Sequence, residues 1–315
     1  MTHTPFTRPF RFGVQTGTAR PDQSWGDFAR EVEALGYSTL TCPDHFVDTE
    51  LAPVVALTAA AEATTRLRVG ALVFDNDYKH PAILAKEMAT LDLLSSGRVE
   101  LGLGAGWMRA DYDALGLQYD SAGVRIDRMV EGLDVMERCL AGEAFSHNGE
   151  HYTIADYTAT PKPAQARIPV NIGGGGKRVL SIAAQRADIV GINPNLRKGE
   201  VTPDAAQDSL EHMWQQKLDW IRDAAGERFN DLELQIRSFM VSVTDDRMGL
   251  AEMMAPAFGV TPEEALASHA VLAGTIDEIV DEIVESRKRY GVSYWLVGED
   301  TFREFAPVVA RLAGS

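Results

Sequence analysis

The chain has 315 residues, 45% hydrophobic and 24% charged, a balance that suits a globular protein able to bury a core without disulfides. Its net charge of −16, from 30 Lys and Arg against 46 Asp and Glu, argues against nucleic acid or an anionic membrane surface as a partner. Cys42 and Cys139 lie in unrelated contexts without metal spacing, MTHTPFTRPF has no apolar leader core, and no window reaches about 18 apolar residues, so a cytoplasmic protein is expected.

Phe10–Thr16 reads as a first strand. Ser24 with Asp27 caps a helix whose apolar face is Phe28, Val32 and Leu35, stopped by Gly36. Tyr37–Cys42 is a second strand, ending at Pro43-Asp44-His45-Phe46, and a helix follows through Val54–Thr64. Leu67–Phe74 is a third strand; a polar loop, Asp75–His80, leads to Pro81 at a helix start. Arg98–Leu103 is a fourth strand, Gly104–Asp120 a loop, and Ile126–Leu140 has helical spacing. Phe145–Ile154 holds Asn148-Gly149 between strand-like arms, the signal of a hairpin with a type I′ turn.

Then comes Pro169–Arg178, PVNIGGGGKR, a fifth strand feeding four glycines and a helix N-terminus. Bare backbone lets a ligand approach closely and permits positive φ, and the first amides of a helix favour an anion such as phosphate. Neither the P-loop pattern nor G-x-G-x-x-G is met, because Asn171 and Arg178 stand where those motifs need other residues. Asp188–Ile192 is a sixth strand, Asp204–Ala225 a helix, and Leu232–Val243 a seventh strand. Asp246–His269 is an irregular helical segment. Thr275 with Glu278 forms a capping box, Val292–Val297 is the eighth strand, and Thr301 with Glu304 caps a last helix.

Eight strands alternating with helices force parallel pairing and right-handed crossovers. The economical fold is a closed α/β (β/α)8 TIM barrel, one domain over 1–315 with an insertion hairpin at about 143–167. An open doubly wound sheet is the rival. In a barrel the strands' C-terminal ends share one mouth, and that mouth carries the chemistry. There lie Gln15 and Thr16, Asp44 and His45, Asp75–His80, Gly102–Trp107 and the glycine run. His45 suits proton transfer near neutral pH, with Asp44 placed to hold its tautomer. Glycines at 102, 104 and 106 leave a strand end bare enough for a flat ring, with Trp107 beside it. No metal site is expected: Asp75–Lys79 lacks the glycine of a calcium loop, and His147 and His151 flank a turn as exposed loop residues. Few charged groups and much bare backbone suit a cofactor that carries the hard chemistry. Val241, Phe258, Tyr294 and Trp295 are candidates for the pocket lining, with strand phase left open.

The stretches TCPDHF (41–46), GALVFDNDYKHPAILAKEMATLDLL (70–94), SGRVELGLGAGWMRADYDALGL (96–117), IGGGGKRVLSIAAQRAD (172–188) and TIDEIVDEIVESRKRYGVSYWLV (275–297) together resemble the luciferase-like monooxygenase superfamily, most nearly its actinobacterial coenzyme F420-dependent oxidoreductases. The resemblance implies a cofactor, F420 or alternatively FMN, with its phosphate on Gly174, Gly175, Gly176 and Lys177. It implies a ring lying against a cis peptide at Leu72–Val73 and against Gly104, Ala105, Gly106 and Trp107. It places Asp44 and His45 beside that ring as catalytic residues. Lys79, His80, Lys177, Arg178 and Arg197 become candidates for the acidic tail of F420. Related sugar-phosphate dehydrogenases have a glutamate where this chain has Trp107, so an apolar substrate face is expected. Asp111 and Tyr112, further along that loop, receive no chemistry. The function implied is hydride transfer between F420 and a small, apolar organic substrate. The alternative is a two-component monooxygenase fed reduced FMN by a partner flavin reductase. A homodimer is compatible with the resemblance.

Overall fold

The computed structural model describes residues 7–315. In chain order the strands are β1 Arg11–Gln15, β2 Thr39–Cys42, β3 Arg68–Ala71, β4 Phe74–Asp75, β5 Val99–Gly104, β6 Ala144–Asn148, β7 Thr153–Thr158, β8 Val170–Gly174, β9 Ile189–Ile192, β10 Glu233–Arg237, β11 Met240–Val243, β12 Val271–Gly274 and β13 Val292–Gly298. The helices are α1 Trp25–Ala34, α2 Pro53–Ala63, α3 Pro81–Leu94, α4 Arg109–Leu115, α5 Ala122–Ala141, α6 Lys177–Arg186, α7 Pro203–Gln207, α8 Glu211–Ala225, α9 Arg247–Phe258, α10 Pro262–Leu266, α11 Ile276–Tyr290 and α12 Phe302–Leu312.

The barrel runs β1-β2-β3-β5-β8-β9-β10-β13 and returns to β1, every pair parallel. Pairing of Val69 with Val99 closes it, which rules out the open sheet. Alternate residues point inward. On β1 these are Arg11, Gly13 and Gln15; on β10 they are Glu233, Gln235 and Arg237. The outward residues pack under the helices: Phe12 meets Phe305, and Phe28 meets Phe302, at ring separations of 5.8 and 5.4 Å. These aromatics tie the first βα unit to the last.

Local signals hold at several termini. Ser24 accepts from the Asp27 amide, Pro81 opens α3, and Thr275 with Glu278 forms a full capping box. Others differ. Thr301 makes no side-chain cap, because its backbone is already near-helical (φ −117°, ψ −7°). The third strand is interrupted between β3 and β4, where the Leu72–Val73 peptide is cis, the position the resemblance implies. The 75–80 loop contains a short 3-10 turn, and the 104–120 loop contains α4. The 204–225 helix is two helices, α7 and α8. The seventh strand breaks after Arg237, and β11 leaves the barrel to pair with β12, a strand that periodicity did not reveal.

The insertion does form an antiparallel hairpin of β6 and β7, but Asn148 pairs with Thr153 across a four-residue loop. Gly149 is not left-handed there, so the turn is not type I′. Glu131 of α5 explains the longer loop: it accepts the His151 and Tyr152 amides and meets His147 Nε2 at 3.0 Å. His147 and His151 are half-buried, not exposed as expected.

Candidate active site

Pro43 ends β2, and the next residues turn over the barrel mouth. His45 Nδ1 lies 2.7 Å from Asp111 Oδ2. The other oxygen of Asp111 accepts the Phe46 and Val47 amides at 2.8 and 2.9 Å, and Tyr78 donates its hydroxyl to Oδ2 at 3.2 Å. Asp111 is fully buried on α4, where desolvation disfavours its charge. The bonds from His45 and the two amides outweigh that, and its pKa falls below the usual carboxylate value. An ionised carboxylate only accepts, so Nδ1 carries the hydrogen and Nε2 is the working nitrogen. Nε2 has no hydrogen-bond partner among the described residues. The Trp107 ring stands edge-on to the imidazole at 5.4 Å.

Asp44 does not hold the His45 tautomer; that expectation is corrected. Asp44 Oδ2 instead accepts the Asp75 amide at 3.2 Å. Burial pushes Asp44 up to about 6 and Asp75 up to about 7. The Tyr112 hydroxyl lies between Asp75 and Asp77, 3.0 Å from an oxygen of each, and shares its one proton between them. Arg128 pairs with Asp77 at 2.9 Å. Asp111 and Tyr112, given no role by the sequence, thus organise this side of the mouth.

The adjoining strand ends, of β5 and β8, are bare. The Val73 side chain fills the lumen between strands: a Cβ on Gly104 would lie 2.6 Å from Val73 Cγ2, and one on Gly173 3.3 Å from Val73 Cγ1. Gly106 has φ 72°, and a Cβ there would collide with the Tyr112 hydroxyl and the Asp75 carboxylate. In the glycine run none of residues 173–176 has positive φ. Close approach is the reason for glycine: a Cβ on Gly175 would strike the Pro194 carbonyl group. Gly176 is the N-cap of α6 and offers no side chain to its first amides. Lys217, buried on α8, fixes the wall behind this turn, donating to the carbonyl of Asn193 at 2.8 Å and to Asp208 Oδ2 at 2.5 Å. Asp208 in turn accepts the Asn195 amide at 2.6 Å.

A family model described as luciferase-like monooxygenase matches residues 6–248. The chain belongs to the luciferase-like monooxygenase family. Among curated relatives of this family member, an F420-dependent glucose-6-phosphate dehydrogenase of Microbacterium testaceum is 29% identical over 191 residues, covering 58% of this chain and 56% of that protein. The chain spans between 56% and 62% of the length of the first curated relatives it matches. Among solved structures, the coenzyme F420-dependent tetrahydromethanopterin reductase of Methanopyrus kandleri superposes with a TM-score of 0.75 at 19% identity, covering 97% of this chain and 99% of that one. The oxygenating constituent of 3,6-diketocamphane monooxygenase from Pseudomonas putida, in complex with FMN, gives 0.72 at 17% identity, covering 97% and 98%. At these identities the likeness is one of fold.

The remaining expected residues separate. Lys79 is paired with Glu87 at 2.7 Å, His80 caps α3, and Arg178 is paired with Asp127. Lys177 and Arg197 are exposed, without side-chain partners among the described residues. Tyr294 lies under the Arg11 guanidinium, 3.8 Å away, at the end of the barrel remote from the mouth. Trp295 faces outward, parallel to the His269 ring at 6.5 Å. Val241 sits in β11, outside the barrel, and Phe258 ends α9. Tyr294 and Trp295 are thus placed away from the mouth. The sequence also passed over Arg237 and Lys217. Arg237 was detectable in principle, as the last inward position of a strand carrying polar residues at 233, 235 and 237.

Proposed function

We propose that the chain is an oxidoreductase that transfers a hydride between coenzyme F420 and a small organic substrate at the barrel mouth. The observation that carries this reading is the His45–Asp111 pair, set edge-on to Trp107 at the mouth of the barrel. The glycine turn fits a phosphate, since Gly176 at the N-cap brings no side chain over the first α6 amides. Gly174, Gly175, Gly176 and Lys177 would hold that phosphate. Leu72, Val73, Gly104, Ala105, Gly106 and Trp107 would line the ring. When bound, F420 supplies a ring carbon that gives or accepts a hydride.

The protein's own residues supply the rest. His45 Nε2 holds the proton that leaves or joins the substrate oxygen as the hydride moves. Asp111 fixes the orientation and tautomer of the imidazole through its bond to Nδ1. Asp44 sits beside this pair and keeps the Asp75 backbone in place. Trp107 gives the substrate an apolar wall and excludes water. Two buried, unbridged cysteines are compatible with a reducing cytoplasm.

A parallel titration of the purified protein with F420 and FMN tests the cofactor. Binding of F420 below about 100 µM, about −5.5 kcal/mol, with quenching of tryptophan emission, is the expected result. Tight FMN binding without F420 binding would overturn it. It would favour the second reading, a monooxygenase using reduced FMN from a partner flavin reductase. The family description and the FMN-containing structural neighbour speak for that alternative. Its mark would be a product bearing one oxygen atom from O2.

A further inference from the structure

Arg237 ends β10 and points into the lumen at the level of the mouth. Its Nε donates to Gln15 Oε1 at 3.0 Å, and Gln15 Nε2 donates to the Leu72 carbonyl at 2.8 Å. A chain of hydrogen bonds therefore crosses from β10 to β1 to β3, passing over β13 and β2. It can do so because β13 is bare there: a Cβ on Gly298 would lie 3.1 Å from Arg237 Nη2. Nη1 donates to the Ser238 carbonyl. Nη2 donates to no described residue, and it is not among the polar atoms sealed from solvent. Glu299 and Asp300 lie near enough to favour the charge, yet Arg237 forms no ion pair among the described residues. Burial pushes its pKa down to about 10, so the guanidinium is still charged at neutral pH.

This is a costly arrangement. A half-buried, permanently charged group normally finds a carboxylate, as Arg11 and Arg68 at the other end of the same barrel do. Two of the three nitrogens of Arg237 are fixed and the third is left free, which orients the fork and reserves donors. We propose that Arg237 is a substrate-binding residue that holds a carboxylate oxygen of the substrate through Nη2, with Gln15 fixing its position. The substrate then has an apolar body against Trp107 and one anionic end. The inference rests on the mouth being the active site and narrows the substrate class there.

The test uses protein loaded with whichever of F420 or FMN it binds, and two probes of closely similar shape, benzoate and its uncharged isostere benzamide. Binding is read from the absorbance of the bound cofactor and from melting temperature. Benzoate should bind more tightly by about ten-fold or more, the usual effect of one charge-assisted hydrogen bond. Arg237→Met should abolish that preference while leaving cofactor affinity within about two-fold. Arg237→Lys keeps the charge but not the fork, and should retain part of the preference; it serves where the Met variant does not fold. Equal binding of the two probes, failure of both to bind, or survival of the preference in Arg237→Met would each overturn the proposal. So would a large loss of cofactor affinity in Arg237→Met, which would assign the guanidinium to the cofactor. If neither cofactor binds the wild-type chain, the hydride-transfer reading fails, and carboxylate selection is still read from melting temperature alone.

Discussion

At the N-terminal end of the barrel, Arg11 bonds Glu100 at 2.5 Å and Glu233 at 2.7 Å, and Arg68 bonds Glu100 at 2.7 Å. A cavity of about 390 Å³ lies among these groups with Arg8, Arg167, Asp188 and Asp231 around it, four arginines against four carboxylates. At the C-terminal end the same strands carry unmatched charge. Asp44, Asp75, Asp77 and Asp111 crowd one side, shared by tyrosine hydroxyls, His45 and, among the described residues, one arginine, Arg128. Across the lumen Arg237 forms no ion pair among the described residues, with Glu299 and Asp300 only near it. The middle layer between them is small and polar: glycines, and Asn171 donating to Gln235 at 2.8 Å. Paired charges at the closed end specify which strands meet. Unpaired donors and a single free imidazole nitrogen at the open end are what a ligand can use. A cavity surrounded by satisfied ion pairs is thus the poorer candidate for chemistry.

Substitutions at the two ends should separate these roles. The largest effect is expected at the mouth: His45→Asn should lower turnover by about 10²–10⁴-fold with the melting temperature little changed. Turnover near wild type would make the two ends alike in having no chemistry. At the closed end Glu100→Ala leaves Arg11 and Arg68 short of a partner. It should cost about 3–5 kcal/mol of stability in a denaturant titration, with cofactor affinity of the folded fraction unchanged. Gly176→Val should act in the opposite sense, weakening cofactor binding by about ten-fold or more with a smaller loss of stability, because a Cβ there meets only Asn195 Nδ2, at 3.5 Å. Cofactor binding that ignores this substitution would remove the glycine turn from the site.

The smallest effect is the pH dependence of the acidic cluster. Asp75 is raised by burial to about 7, so its folded-state contribution is complete below the unfolded pKa and lost as pH rises through 7. Asp75→Asn removes that titration. The stability difference between variant and wild type should shift in the variant's favour by about 1–3 kcal/mol between pH 4 and pH 8. Parallel stability curves across that range would show that Asp75 stays ionised.

Legibility followed the range of the interaction. The caps at Ser24 and Thr275 and the helix start at Pro81 are decided within four residues, and their signals were readable. The glycine run and the bare fourth strand end announced close approach, although the run uses no left-handed backbone. His45 was legible as a residue at a strand end, but its partner was not, because Asp111 is 66 positions away on a helix too short for periodicity. The adjacent Asp44 offered a simpler and incorrect partner. Thr301 looked like a cap, yet its backbone left the hydroxyl no amide to reach.

The sequence by itself determined the alternation of strands and helices, and with it the parallel barrel, because hydrophobic periodicity and turn chemistry are local properties of the chain. It also located the mouth, since every strand end in such a barrel faces one way. Only the tertiary structure decided the phase of each strand, and therefore which of two alternating rows entered the lumen. That phase is fixed when the ring closes, Val69 against Val99, and no single strand contains it. From it follow Arg11 bonded to its carboxylates at one end and Arg237 bonded to none among the described residues at the other.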